Sequence, residues 1–336
     1  MHRGADMAVE MRLLQAGRSL SPAGKRAIRE PTCIQDATRP PEEGDRPIAK
    51  LDSPGGWPLS ATVLSVLALA AIAGAVYSCT YRSSLRNLFR PPTVTLAEAY
   101  AETADSPEVD HSILDALLRR HVDVDGWVDY AALKRDSASL DAYLHVIEQV
   151  DFERLGRNEK LALLINAYNA FTLRLILDHY PVSSIKDIPD AQRWDARRWN
   201  VGGNTWSLNQ IEHEQIRPKF VEPRVHFALV CAAVGCPKLR NEAYQAERLE
   251  QQLDDQARYV HEHDRWFRYE PAQSVVGLTK LYEWYGDDFK QVAGSVLNYA
   301  ARYSSALKQA LDAGQSPRID WLSYDWKLND QAHGCP

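Results

Sequence analysis

The run His226-Phe-Ala-Leu-Val-Cys231-Ala-Ala-Val-Gly-Cys236-Pro237 places one imidazole and two thiols close together in the chain. A thiol is nucleophilic at neutral pH only when something accepts its proton, so a histidine beside a cysteine is the pairing that thiol-dependent hydrolysis or transfer requires. In that chemistry Cys231 is the nucleophile and His226 its base. Along an ideal strand, positions five apart face opposite ways, so the two meet only if the strand ends or bulges before Cys231. Gly235 and Pro237 mark a turn nearby. The alternative is a disulfide between Cys231 and Cys236 across that turn, which an exported location favours. Neither spacing nor composition decides between a free thiol and a bridge.

Two further groups carry polar chemistry. Asn166 and Asn169, three residues apart in an apolar stretch, share one helical face. Buried carboxamides cost free energy unless their donors and acceptors are met. They therefore organise either the backbone of a neighbouring loop or a ligand or catalytic group, the latter as donors to a developing oxyanion. Glu212 and His213 follow Ile211 on a short helix, either as a solvated face or with Glu212 orienting a histidine.

The elements that must position these residues can be read from periodicity and punctuation. Residues 159–180 predict a long apolar helix ended by Pro181. Ser207 and Gln210 form a capping-box pattern that opens a helix over 208–216, stopped by Pro218. The apolar run 225–231 has the length of a buried strand. Helices are expected at 111–122, 246–261, 278–284 and 289–303, with a strand near Val275, a turn and short strand over 123–130, and a helical linker at 96–103. The expected fold class is α+β, several helices around a small sheet that contains the His226 strand.

The chain of 336 residues, with 45% hydrophobic and 25% charged residues, has enough apolar content for a sizeable core. A net charge of -6 and the lack of a basic stripe exclude nucleic acid as an expected partner. The five cysteines include no C-x-x-C knuckle, so neither a metal site nor a cofactor is expected. Residues 1–57 mix charges with Pro, Gly and Ser and read as a disordered lead. An uncharged segment within 58–80, with its heart at 59–79, is long enough to cross a bilayer as one helix and reads as an uncleaved anchor. Arg39, Arg46 and Lys50 before it and Arg82, Arg86 and Arg90 after it leave the orientation open. A linker at 81–108 leads to a domain at 109–329 and a tail at 330–336.

Asn166-Ala-Tyr-Asn169, Ile211-Glu-His213, His226-Phe-Ala-Leu-Val-Cys231 with Cys236-Pro237, and Tyr324-Asp-Trp326-Lys-Leu-Asn329 together resemble the family called domain of unknown function 547, DUF547. The resemblance covers 109–329 and implies an exported or membrane-attached domain, periplasmic or extracytoplasmic, similar to papain-like or transglutaminase-like cysteine enzymes. Those enzymes place cysteine before histidine, whereas His226 precedes Cys231 here. The function expected is a membrane-anchored thiol hydrolase or transferase acting on an amide or thioester bond of a peptide or small molecule, with Cys231, His226, Glu212, Asn166 and Asn169 as its site. The alternative is a non-catalytic binding module of the cell envelope with Cys231 and Cys236 bridged.

Overall fold

A computed structural model describes residues 91–333, except Ala104 and Ala196. The segments read above as lead and membrane anchor, and Cys33, Cys79 and Cys335, lie outside the described residues.

Helices α1 (Ser112–His121), α2 (Tyr130–Arg135) and α3 (Ser137–Glu148) precede the long α4 (Arg157–His179). A two-stranded hairpin follows, β1 (Trp199–Val201) and β2 (Asn204–Trp206), then α5 (Leu208–Gln210), which continues as a π-helical turn over Ile211–Ile216. After α6 (Val225–Ala228) and α7 (Leu249–Glu262) comes a three-stranded sheet of β3 (Phe267–Glu270), β4 (Val275–Leu278) and β5 (Arg318–Trp321). Between β4 and β5 the chain forms α8 (Lys280–Trp284), α9 (Gly286–Ala293), α10 (Val296–Ala300) and α11 (Ser305–Asp312). The architecture is α+β with two small sheets.

Helix α4 is the axis of the larger core. Leu161, Leu164, Ile165, Phe171, Leu175 and Ile176 are all buried, and Lys160, Asn166 and Asn169 are buried with them. It is long and apolar enough to cross a membrane, yet 89% of its apolar window is enclosed by the domain, which identifies it as a core helix. Polar faces are absent because nearly every side is covered, so the usual amphipathic stripe is not seen. Gly202 and Gly203, both at positive φ, form the two-residue turn of the hairpin, which puts Trp199 opposite Trp206. In the second sheet β4 is central, antiparallel to β3 and parallel to β5, and all four of its residues are buried. The helices from α8 to α11 form the crossover that a parallel pair requires.

The capping box appears as expected: the Gln210 backbone N–H donates to Ser207 Oγ at 3.1 Å, and the Ser207 N–H donates to Gln210 Oε1 at 3.1 Å. Two expectations are corrected. The run holding His226 belongs to neither sheet; residues 225–228 are a helical turn and the chain after them is extended. Seven residues, six of them apolar, cannot distinguish a strand from a buried helical turn by period, and the backbone that would pair with a neighbour is taken by side chains. Asn169 donates to the Ala228 carbonyl at 3.0 Å and accepts from the Val230 N–H at 2.9 Å, while Gln256 Nε2 donates to the Phe227 carbonyl at 2.9 Å.

The second correction is the stretch 96–103, which has no helix. Its backbone groups bind the domain instead: the Leu96 N–H donates to Gln291, the Ala99 N–H to the Lys219 carbonyl, and the Ala101 carbonyl accepts from the Arg157 N–H. Tyr100 packs between Phe220 and Phe152.

Candidate functional site

The turn from Cys231 to Cys236 is built by strain and by a glycine. Ala232 sits at φ 61, a left-handed conformation that costs a non-glycine residue about 1 kcal/mol or more. It is held there by its carbonyl, which accepts from the Asn329 N–H at 3.1 Å. The segment containing Tyr324 pairs with the far side of the turn, Val234 N–H to Lys327 carbonyl and Gly235 N–H to Asp325 carbonyl, each 2.8 Å. A Cβ on Gly235 would lie 2.8 Å from the Tyr324 ring and 2.8 Å from Asp325 N. Only glycine lets that segment close on the thiols.

The consequence is a three-atom cluster. Cys231 Sγ and Cys236 Sγ are 2.8 Å apart and unbridged, and the Tyr324 hydroxyl lies 3.1 Å from the first and 2.9 Å from the second. The Cys231 N–H donates to Cys236 Sγ at 3.1 Å. Burial pushes the Cys236 thiol up, but hydrogen bonds from the Cys231 thiol, the Tyr324 hydroxyl and the Cys231 and Ala233 backbone N–H groups outweigh it and hold Cys236 below the ordinary thiol range. Its bond to Cys236 and its own burial push Cys231 far up. Of the two sulfurs, Cys236 is therefore the one that gives up its proton more readily, with the Cys231 thiol, the Tyr324 hydroxyl and backbone N–H groups as donors to its anion. Tyr324 stays a donor, because burial and the thiolate charge raise its own phenol.

His226 stands elsewhere on the same wall. Its Nε2–H donates to Asp288 Oδ2 at 2.8 Å, and Arg217 grips the same carboxylate with Nε at 2.7 Å and Nη2 at 2.9 Å. Asp288 and the Arg217 side chain are almost wholly buried. Burial lowers the His226 imidazole, only partly offset by Asp288, so the ring is neutral with its proton on Nε2. Burial raises Asp288, but bonds from His226 and Arg217 win and keep it ionised. Nδ1 is buried and has no hydrogen-bond partner among the described residues, and Tyr285 stacks on the ring at 3.8 Å between centroids.

The two clusters meet at a cleft of about 630 Å³, lined by Cys231, Cys236, His226, Glu212, His213 and Tyr324 among aromatic walls from Tyr168, Trp194, Trp284, Tyr285 and Trp326. A larger cleft of about 940 Å³ is lined by Glu102, Glu108, Asp110, Asp115, Glu159 and Glu247 with His111, Ser106 and Ser112, and offers no thiol. Volume alone does not select the site; the thiols do.

Of the residues expected to form a site, the structure brings Cys231, His226 and Glu212 to one cleft, with no hydrogen bond between Cys231 and His226 among the described residues. The carboxylate that orients His226 is Asp288, while Glu212 bonds Tyr285 and lies 3.8 Å from His213 Nδ1. Asn166 and Asn169 do not line the cleft. Asn166 donates to the Tyr244 carbonyl at 2.8 Å and accepts from the Tyr244 N–H at 2.9 Å, as Asn169 does for Ala228 and Val230. Both amides are spent on loop backbone, where an unpaired group would cost about 1–3 kcal/mol.

Arg217, Asp288, Tyr285 and the role of Tyr324 escaped the sequence reading. Tyr324 stood in a quoted motif without a function, and Arg217 lies four residues after His213; nothing in its own neighbourhood singles out Asp288.

Replacing Tyr324 with Phe removes one of the donors to the Cys236 thiolate. A charge-assisted bond is worth about 1.5–3 kcal/mol, so alkylation of the native reduced protein by iodoacetamide at pH 7 should slow roughly tenfold and recover at higher pH. A pH–rate profile coincident with wild type would show that the hydroxyl does not stabilise the anion.

Residues 152–259 match the model of the family described as Protein of unknown function, DUF547. The matched span contains the Asn166–Asn169, Ile211–His213 and His226–Cys236 motifs, and Tyr324 lies outside it. Neither a curated protein nor a solved structure matches the chain.

Proposed function

We propose that this domain, part of which matches the DUF547 model, is a thiol-dependent hydrolase or transferase acting on an amide or thioester bond. The observation that carries this reading is an unbridged, partly exposed Cys231 in a cluster that stabilises a thiolate, on one cleft with an imidazole that a buried carboxylate orients. Cys231, the more exposed sulfur, attacks as its proton passes to the ionised Cys236 sulfur 2.8 Å away. Attack forms a C–S bond at the carbonyl carbon and breaks the C–N or C–S bond of the substrate. The leaving amine or thiol takes that proton from Cys236, and water or a second nucleophile then removes the acyl group, its own proton passing by way of His226 to the Cys231 sulfur that is released. His226, oriented by Asp288 and bearing a free Nδ1 lone pair, is the group suited to accept the proton of that second nucleophile. A papain-like or transglutaminase-like kinship, attachment to a membrane through residues 59–79 and an extracytoplasmic location belong to the same proposal.

The separation of 2.8 Å between the sulfurs favours a second reading, a binding module in which oxidation joins Cys231 to Cys236. The experiment that decides uses reduced protein with a simple acyl thioester: wild type should release thiol at least tenfold faster than Cys231→Ala, with an acyl adduct on Cys231 visible by mass spectrometry. Equal release from both proteins, with no adduct, sinks the catalytic reading.

A further inference from the structure

Glu212 is 7% exposed and lines the cleft. A buried carboxylate is expected to be paired, because taking an ion out of water costs several kcal/mol unless a counter-charge repays it. No lysine or arginine forms an ion pair with Glu212 among the described residues; the nearest basic nitrogen is His213 Nδ1 at 3.8 Å, and burial keeps that imidazole neutral. The adjacent guanidinium, Arg217, acts on Glu212 through space but is bonded to Asp288 twice and to His213 Nδ1 at 3.1 Å, so one cation faces two buried carboxylates. The Tyr285 hydroxyl bonds Glu212 and supplies a dipole, not a charge.

The rest of the cleft has the same bias. Its lining includes Asp195, which accepts from Asn209, and Asp190, which pairs with Arg193, and no lysine or arginine. Trp284, Tyr324 and Trp326 form a continuous wall, with Trp284 to Tyr324 at 4.9 Å and Tyr324 to Trp326 at 4.7 Å between centroids. This wall already attracts an ammonium of the chain itself, since Lys186 Nζ stands 3.8 Å from the Trp326 centroid. Aromatic faces beside an unpaired carboxylate bind a cation by ring quadrupole and by charge together.

We infer that the cleft takes a substrate bearing an alkylammonium group, whose charge is met by Glu212 and whose stem lies along the Trp284–Tyr324–Trp326 wall. This deepens the reading of the cleft as a substrate site and depends on that reading only for the place, not for the bond that is attacked. The ammonium would be seated within the same cleft as Cys231, which suits an amine-bearing acyl donor or an amine acceptor.

The test compares n-butylamine, n-butanol and butyrate as ligands of the reduced protein, read by quenching of tryptophan fluorescence and by protection of Cys231 from iodoacetamide. Butylamine should bind and protect, butanol should bind at least tenfold more weakly, and butyrate should not protect. Glu212→Gln should weaken butylamine roughly tenfold and leave butanol unchanged. Should that variant fail to fold, the ranking of the three ligands on wild type decides alone. Equal binding of amine and alcohol, or amine binding indifferent to Glu212→Gln, overturns the inference. Cys231→Ala separates the two proposals, because it should still bind butylamine even if no acyl chemistry is ever found.

Discussion

Lowering the pH from 7 to 4 is expected to remove most of the folding stability of the described domain. His111 is 2% exposed and His261 is 6% exposed. Burial lowers each imidazole from its ordinary value near 6.5 to about 4. His261 is satisfied only when neutral: Nδ1–H donates to the Ala257 carbonyl at 2.7 Å and Nε2 accepts from the Tyr282 hydroxyl at 2.8 Å. His111 Nδ1 accepts from Tyr143 at 2.8 Å, and its Nε2 is buried without a partner. The folded value of each lies below the unfolded one, so below pH 6.5 the unfolded chain binds protons that the native domain refuses. Stability is then complete above 6.5, falls as pH drops toward 4, and loses nothing further from these two groups below that. A shift of this size corresponds to about 3 kcal/mol for each residue, against a total of roughly 5–15 kcal/mol for an ordinary domain. His213 and His226 are lowered by burial as well and act with the same sign. Urea unfolding at pH 7, 5.5 and 4.5 should give a steeply falling series, and His111→Asn, which keeps an acceptor for Tyr143, should flatten it. A flat series in wild type would mean that these rings are charged in the native state.

Local pattern revealed what local chemistry determines. Helix α4 was legible within two residues of each end, because its apolar period and the following proline are written in one stretch. The capping box of α5 was legible for the same reason, since Ser207 and Gln210 satisfy each other across three residues. The burial of Asn166 and Asn169 was legible too, and their partners in the backbone of two loops were one of the two outcomes that burial allowed. The turn at His226 was not, because its shape is imposed from outside by Asn169 and Gln256. The site itself was half visible. Cys231 and Cys236 lie on one turn, but the donor that completes their cluster is Tyr324, 88 residues beyond Cys236. The carboxylate that holds His226 is 62 residues away. Local spacing favoured Glu212 for that role because it is near in sequence, whereas the fold brings Asp288 from α9. A charged residue reveals its partner only when the partner sits within a turn or a hairpin.

Replacing Arg217 with Met should cost about 3–5 kcal/mol, since it leaves the Asp288 carboxylate buried with only a neutral imidazole as partner. The flexible apolar chain of Met occupies much of the arginine stem, so the loss is electrostatic more than steric. Asp288→Asn in the Arg217→Met background should restore most of the stability: the amide is neutral, and its oxygen still accepts from His226 Nε2–H. The two variants therefore couple strongly when measured in a double-mutant cycle by urea unfolding. Their chemistry should separate from their stability. With a neutral amide in place of the carboxylate, an imidazolium at His226 loses its counter-charge, so the double variant should fold yet turn over an acyl thioester more slowly than wild type while its iodoacetamide labelling of Cys231 stays the same. A cost below about 1 kcal/mol for Arg217→Met would show that solvent reaches Asp288. If the stable double variant also kept full turnover, His226 would be a structural residue and the proton would have to travel through the sulfur pair alone.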